Sequence, residues 1–122
     1  MKPDGSRVKF LESFVCAFKG IAFAILHERN IKIMLALAAV AVSIAFILQY
    51  DYISWLITFL LIGLVISAEL FNTALEQVVD LVNPTYNALA GRCKDIAAGA
   101  VLVLCVIAAI IKIILMFHAL SI

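Results

Sequence analysis

Four polar residues recur at helical spacing inside one long apolar stretch of this 122-residue sequence. Glu69, Asn72, Glu76 and Asp80 follow one another at intervals of three, four and four residues, and Thr73 lies beside them. On an α-helix these side chains fall within roughly 80° of one another. An ionisable group in an apolar span is costly when it faces lipid. The spacing therefore predicts that this polar stripe lines a protein interface or a water-filled cavity.

Clustered carboxylates in such a place have two natural uses. They bind Mg²⁺, a hard cation that takes oxygen ligands and often shares them with phosphates. Alternatively, one desolvated carboxylate acts as a general base. Glu28 adds an acid before the first long apolar run, and Lys94 and Asp95 add a cation and an acid before the last. Acids for a metal and a lysine for phosphate would then meet at one membrane face, beside cytoplasmic ATP.

Two other interpretations of the stripe stay open at this point. Its acids could simply join helices, or pair with Arg29, Lys32 and Arg92. They could also form an ion pathway in a small ion-coupled transport component. The sequence contains neither a GxxxxGK[ST] phosphate loop nor the GxGxxG, HRD and DFG motifs of protein kinases. Any nucleotide chemistry would therefore need a site of another type.

The composition predicts a membrane protein. The chain is 66% hydrophobic and 14% charged, more apolar than a soluble domain of this length can bury. The net charge of +1 gives no basis for binding nucleic acid. We therefore expect one all-α integral membrane domain over residues 1–122.

Hydrophobic periodicity divides this domain into four helical segments. Residues 1–6 form a short polar start that we expect to be disordered. Residues 7–28 are typical of an amphipathic helix at the membrane surface. Its apolar face comprises Phe10, Phe14, Phe18, Ile21 and Ile25, and its polar face comprises Lys9, Glu12, Cys16 and Lys19. Residues 31–50, 53–82 and 96–120 are each long enough to span the bilayer. The last two are separated by a polar loop at 85–95, which could also begin the next helix.

The basic residues predict the orientation of these spans. Eight of the nine lie before or at the start of the first span or in the loop at 85–95. Because cytoplasmic loops carry the excess of Lys and Arg, the amino terminus is predicted to be cytoplasmic and the carboxyl terminus external. Lys112 is the exception, and we expect its side chain to extend to the outer interface.

The polar stripe also resembles a known signature. Residues 69–80, ELFNTALEQVVD, are similar to the ExxNxxxExxxD motif of the small bacterial lipid kinases, which include prokaryotic diacylglycerol kinases and undecaprenol kinases. Further blocks agree in the same order, and the resemblance covers roughly residues 7–117. These blocks are FKG at 18–20, ERN at 28–30, LAGRCKD at 89–95 and AAGAV at 97–101.

The resemblance implies a homotrimeric bundle in the bacterial cell membrane, with active sites between subunits that use ATP and Mg²⁺. By position, Glu69 would be the general base that takes the lipid hydroxyl proton, and Asn72 would position the reacting groups. Glu28 and Glu76 would hold the metal on the ATP phosphates. The remaining cofactor-binding positions implied are Lys9, Cys16, Thr85, Tyr86, Asn87, Lys94 and Asp95. Lys9 stands where the family often has Arg, and Cys16 where relatives have an aromatic residue or His.

The same resemblance bears on the lipid substrate. The segments ERN at 28–30 and NTALE at 72–76 are similar to those of the Gram-positive undecaprenol kinases. The LAGRCKD segment at 89–95 is closer to the diacylglycerol kinase branch. We therefore expect a kinase that phosphorylates a membrane lipid alcohol at the cytoplasmic face. Undecaprenol is the favoured substrate and diacylglycerol the alternative.

Overall fold

The computed structural model describes residues 7–121, which form four α-helices joined by short turns. They are α1 (Arg7–His27), α2 (Arg29–Ile47), α3 (Tyr52–Val82) and α4 (Ala88–Leu120). The predicted disordered start at residues 1–6 lies outside the described residues, as does residue 122. The all-helical class predicted from the sequence is confirmed.

The surface of this bundle is suited to lipid rather than to water. The buried apolar residues are few: Ala24, Ile31, Ala45, Tyr50, Val101 and Leu115. Large apolar side chains are exposed along every helix, and such a surface requires a hydrocarbon environment. All four helices are long and apolar enough to cross a membrane, including Lys9–His27 within α1. Length and composition thus admit a fourth candidate span in the segment that the sequence predicts to lie at the membrane surface.

Helix packing concentrates on α3. Its most extensive contact is with α4, and α2 packs against it on another side. The contacts of α1 with α2 and α3 are much smaller. Between α1 and α2, Glu28 takes an extended conformation with φ −108° and ψ 120°, so the chain changes direction there. The polar stripe of α3 therefore lies on the helix that all the others contact.

A tight turn ends α2 at Ile47, three residues before the predicted end of this span at 50. The Tyr50 N–H donates to the Ala45 carbonyl at 3.0 Å, and the Gln49 N–H donates to the Phe46 carbonyl at 3.2 Å. This pair of bonds is a Schellman motif, in which the residue after the helix cap takes a left-handed conformation. Gln49 does so with φ 52°, although glycine is the usual residue there. The turn brings Tyr50 into a buried cluster with Ala45 and Leu115 of α4.

Side-chain caps fix where α3 and α4 begin. Asp51 accepts a hydrogen bond from the Ser54 N–H at 2.8 Å, which satisfies a free donor in the first turn of α3. Asn87 does the same for α4, because its Oδ1 accepts from the Leu89 and Ala90 N–H groups. Consequently α4 begins at Ala88, about two turns before the predicted span at 96–120. Most of the predicted loop at 85–95 is therefore the first part of a helix.

Candidate functional site

Three polar residues in the second half of α3 are buried, although most of this helix is exposed. Glu69 is 3% exposed, Asn72 5% and Thr73 8%. Glu76, one turn further along, is half-buried, and Asp80 is exposed. The predicted stripe thus runs from an enclosed end at Glu69 to an open end at Asp80. At about 1.5 Å per residue, these two ends are about 16 Å apart along the helix.

Asn72 and Glu76 are directly bonded. The Asn72 Nδ2 donates to Glu76 Oε1 at 2.9 Å. The carboxylate can only accept, so the amide nitrogen of Asn72 must be the group that faces it. Asn72 Oδ1 then points elsewhere and is a buried oxygen with no hydrogen-bond partner among the described residues. A buried acceptor left unpaired is costly, which makes this oxygen a natural ligand for a cation or a hydroxyl.

Glu69 is buried without a bonding partner. Across residues 9–121, no hydrogen bond or ion pair joins its carboxylate to another group. The Cys105 thiol of α4 lies close enough to interact electrostatically with this carboxylate. A carboxylate that is buried and uncommitted is free to accept a proton from a substrate.

The open end of the stripe is bridged to the next helix. Lys94 Nζ of α4 bonds Asp80 Oδ1 of α3 at 2.5 Å. Their side chains are 38% and 62% exposed, so the ion pair is accessible to solvent and to ligands. It sets the position of the Lys94 ammonium near Glu76, the next acid of the stripe.

A polar cavity of about 300 Å³ lies beside this ion pair, at the turn from α3 to α4. Five of the predicted cofactor-binding residues line it together: Thr85, Tyr86, Asn87, Lys94 and Asp95. The remaining lining residues are Val79, Asp80, Asn83, Pro84, Ala90 and Gly91. The structure therefore gathers the residues predicted to contact nucleotide into one recess, next to the open end of the stripe.

The side chains of the turn are unequally available to a ligand. Asn87 Oδ1 is engaged as the cap of α4, which leaves only its amide nitrogen. Thr85 Oγ1 donates to Asn83 Oδ1 at 3.4 Å. Tyr86 is 92% exposed, so its ring is available for stacking on a flat ligand. The sequence pointed to Thr85, Tyr86 and Asn87 but not to Asn83, whose only signal was its place before Pro84.

Three predicted site residues are not joined to this group. Lys9 and Cys16 lie on α1, where Lys9 is half-buried and Cys16 exposed. Glu28 is half-buried at the junction of α1 and α2, with no side-chain capping bond. Among the described residues, no hydrogen bond or ion pair connects any of the three with Asn72 or Glu76. Their predicted roles stay predictions.

The oxygen donors on α3 fit a magnesium ion that is shared with phosphate. Within residues 9–121 there is no group of three or more His, Cys, Asp or Glu residues arranged to hold a metal. Mg²⁺ commonly keeps several waters and takes one or two carboxylates plus substrate phosphates. The half-buried Glu76 carboxylate and the unpaired Asn72 Oδ1 are hard oxygen donors of that kind. The predicted second carboxylate is Glu28.

Known proteins that resemble the chain are lipid kinases. The family model for prokaryotic diacylglycerol kinase matches residues 15–116. The chain is 44% identical to an undecaprenol kinase of Bacillus subtilis over 103 residues, which are 84% of each chain. It is 39% identical to a diacylglycerol kinase of Synechocystis over 102 residues, 83% of this chain and 58% of that one. It is 33% identical to the diacylglycerol kinase of Escherichia coli K12 over 94 residues, 77% of each.

Proposed function

The chain belongs to the prokaryotic diacylglycerol kinase family and is a lipid kinase, and we propose that it phosphorylates undecaprenol with ATP at the cytoplasmic face of the bacterial membrane. The observation that carries this choice of substrate is the 44% identity to a protein named undecaprenol kinase, over 84% of both chains. The two relatives named diacylglycerol kinase that are described above are 39% and 33% identical, so diacylglycerol is the alternative substrate to compare with undecaprenol.

The reaction in this proposal transfers the γ-phosphoryl group of ATP to the lipid hydroxyl. Glu69 accepts the hydroxyl proton, the hydroxyl oxygen forms a bond to the γ-phosphorus, and the bond from that phosphorus to the bridging oxygen of ADP breaks. The products are the lipid phosphate and ADP. Glu69 suits the base because it is buried and uncommitted, at the end of the stripe furthest from the polar cavity. A lipid alcohol would reach it from within the membrane.

Asn72 aligns the reacting groups in this proposal. Its Nδ2 is held by Glu76, and its free Oδ1 lies one turn from Glu69. Phosphoryl transfer depends mainly on alignment and on neutralising charge, so few protein groups are sufficient. Glu76, Asn72 Oδ1 and Glu28 would hold Mg²⁺, which when bound neutralises charge on the ATP phosphates.

The nucleotide would occupy the polar cavity at the α3–α4 turn. Lys94 offers its ammonium to the phosphates, and Asp80 fixes where that ammonium lies. Thr85, Tyr86 and Asn87 would lie along the base and sugar, and Asp95 near the phosphates or ribose. On α1, Lys9 would add positive charge and Cys16 would contribute to the same nucleotide site.

The proposal includes a homotrimer with α1 at the membrane surface and three spans in each copy. Lys19 lies in the middle of α1 and would be deep in hydrocarbon if that helix crossed the bilayer. The small contact of α1 with the rest of the bundle also suits a helix at the surface. With three spans, the basic excess makes the amino terminus cytoplasmic and the carboxyl terminus external. Lys9, Cys16 and Glu28 would then reach the nucleotide of a neighbouring copy.

The test is phosphate transfer from ATP by the purified protein in mixed micelles. Undecaprenol and diacylglycerol are offered separately and then in competition. A higher kcat/KM for undecaprenol supports the proposal, and a higher value for diacylglycerol replaces it. Transfer to neither lipid by an intact, folded assembly would contradict both.

A further inference from the structure

An apolar cavity of about 290 Å³ lies between α2, α3 and α4, separate from the polar cavity at the α3–α4 turn. Helix α2 contributes aliphatic side chains and Met34, α3 contributes branched aliphatic residues and Thr58, and α4 contributes Cys105, Ala108, Ala109 and Lys112. This volume is near the lower limit of small-molecule sites, roughly 300 Å³. It is therefore large enough for a slender ligand.

This apolar cavity continues the face of α3 that carries the polar stripe. Thr58, Ile62 and Val65 line it at helical spacing, and Glu69 follows Val65 by four residues on the same face. On α4, Cys105 lines the cavity and also lies within electrostatic range of Glu69. One face of α3 is therefore apolar in its first half and polar in its second. Glu69 stands at the junction.

Lys112 lines the other end of the cavity. Its Nζ donates to the Ala41 carbonyl of α2 at 2.9 Å and lies 4.5 Å from the centre of the Tyr50 ring. Thr58 is also satisfied, since its hydroxyl donates to the Ser54 carbonyl at 2.8 Å. These two polar side chains thus have partners elsewhere, and the wall of the cavity is aliphatic. From Cys105 to Lys112 the cavity extends about 10 Å along α4, at about 1.5 Å per residue.

We propose that this apolar cavity holds the hydrocarbon chain of the lipid substrate next to its hydroxyl group. The inference rests on the proposed lipid kinase activity and names the part of the substrate that the site encloses. With the hydroxyl at Glu69, a chain that enters the cavity leaves in the direction opposite to the polar cavity. The substrate would then lie along one face of α3, with its alcohol toward the nucleotide and its chain toward Lys112.

The shape of the cavity bears on the class of lipid. Its volume of about 290 Å³ has room for a short stretch of one hydrocarbon chain. A polyprenol has one chain, and its first units would occupy this space. A lipid with two chains would leave the second chain in the bilayer. The cavity thus offers apolar contact to the one chain that lies closest to the reacting hydroxyl.

The first test fills the cavity from α4. Ala108→Phe inserts a ring into it, and Ala36→Phe adds the same ring on the exposed side of α2, away from the cavity. In Ala108→Phe we expect the KM for undecaprenol to rise about tenfold or more, with the KM for ATP unchanged. Ala36→Phe should leave both constants near those of the unmodified protein. An unchanged lipid KM in a folded Ala108→Phe protein would overturn the proposal.

A second test needs no substitution and no turnover. The unmodified protein is irradiated, without ATP, with a long-chain alcohol that carries a diazirine within its first few carbons, and crosslinked peptides are mapped. Crosslinks to the cavity residues of α2 and α4 are expected, and excess undecaprenol should suppress them. Crosslinks confined to outward-facing side chains would overturn the cavity assignment. The same result is expected if a second copy of the chain, rather than the lipid, fills the cavity. Phosphorylation of undecaprenol in the same preparation would leave the proposed function intact in that case, whereas its absence would count against the function itself.

Discussion

Asn72 is fixed by Glu76: its Nδ2 donates to Glu76 Oε1 at 2.9 Å, one turn further along α3. Because the carboxylate is only an acceptor, this bond also decides that Asn72 Oδ1 faces away, where it is buried and unpaired. The two residues therefore form a bonded unit with an unpaired oxygen on Asn72, one turn of helix from Glu69. Such a unit suits a reaction that depends on alignment and on neutralised phosphate charge.

Glu69→Gln tests the general base. The amide keeps the size of the side chain but cannot take the hydroxyl proton, so we expect turnover to fall about 10²- to 10⁴-fold. ATP binding, measured by calorimetry in the presence of Mg²⁺, should be unchanged. Glu12→Gln, the same substitution on α1, serves as the control and should retain turnover. Near-normal turnover in Glu69→Gln would exclude this residue as the base.

Glu76→Gln tests the metal-binding role separately. It removes the negative charge predicted to hold Mg²⁺ on ATP, and it turns the acceptor of the Asn72 bond into a neutral amide. We expect the Mg²⁺ concentration for half-maximal activity to rise about tenfold or more, in line with a lost charge-assisted contact. A titration of activity against Mg²⁺ at fixed ATP measures this. A lower rate with an unchanged Mg²⁺ requirement would speak against Glu76 as a ligand.

The Lys94–Asp80 ion pair is expected to matter for nucleotide binding more than for stability. Both side chains are exposed by more than a third, and solvent screens such pairs so that they contribute little to folding. Lys94→Ala should raise the KM for ATP about 10- to 100-fold, the cost of a charge-assisted phosphate contact. Asp80→Asn should raise it only a few-fold, since the lysine remains.

A double-mutant cycle separates the two effects. If Asp80 acts by positioning Lys94, the protein with both substitutions will have the ATP KM of Lys94→Ala alone. Additive increases in KM would instead mean that Asp80 contacts the nucleotide independently. Thermal unfolding of all four proteins provides the check on stability, with small differences expected.

Asp51 lies at the start of α3, at the other end of this helix from the polar cavity, and is expected to make the stability of the protein depend on pH in the acidic range. The backbone N–H of Ser54, its hydroxyl and the neighbouring His118 hold the Asp51 pKa below its ordinary value of 3.8. Because the folded pKa is lowered, the stabilisation is present above about pH 4 and is lost as the pH falls through the lower, folded pKa. Asp51→Asn keeps a capping oxygen but does not titrate.

We therefore expect the Tm of the unmodified protein to exceed that of Asp51→Asn near neutral pH. The difference should shrink as the pH is lowered from about 4 to about 2. Thermal unfolding in detergent measures both proteins under matched conditions. A Tm difference that stays constant through this range would mean that the Asp51 charge does not stabilise the fold.

Gln49 offers a prediction about the turn between α2 and α3. It holds φ 52°, a conformation that costs a non-glycine residue about 1 kcal/mol or more. Gln49→Gly removes this strain at a position where glycine is the usual residue, so the free energy of unfolding should rise by about 1 kcal/mol. Gln49→Val, which is branched at Cβ, should lower it. Unfolding of the three proteins in a detergent titration gives the comparison, and a destabilised glycine variant would show that the turn is not strained.

Much of the architecture follows from local sequence patterns. Apolar runs long enough to span a bilayer predict helices because backbone groups in hydrocarbon must bond within their own segment. The spacing of Glu69, Asn72 and Glu76 places them on one face, because residues three or four positions apart lie on the same side of an α-helix. Residues 69–80 and the segments around them also identified the lipid kinase family. The kinase assignment, rather than a transport component, was thus available from the sequence.

Helix ends were less predictable. The sequence predicts a polar loop at 85–95 that could begin the next helix, without saying where. In the structure Arg92, Lys94 and Asp95 lie in the first turns of α4, because Asn87 caps that helix and Ala88 begins it. Helix α2, by contrast, is shorter than the predicted span at 31–50. It ends at Ile47 because the chain turns at Gln49. Both ends depend on backbone conformation at single residues, which hydrophobic periodicity does not specify.

The sequence by itself determined the membrane class, the helices and the composition of the polar stripe, since these depend on residues within a few turns of one another. Only the tertiary structure decided how the stripe is completed. Lys94 meets Asp80 because α3 and α4 fold back on each other, and Lys112 meets Ala41 across 71 residues of chain. The apolar cavity likewise forms only where α2, α3 and α4 pack together, and the polar cavity only where α3 turns into α4. Contacts of that kind follow from the packing of whole helices, and a one-dimensional pattern records spacing along a helix but not which neighbour it will face.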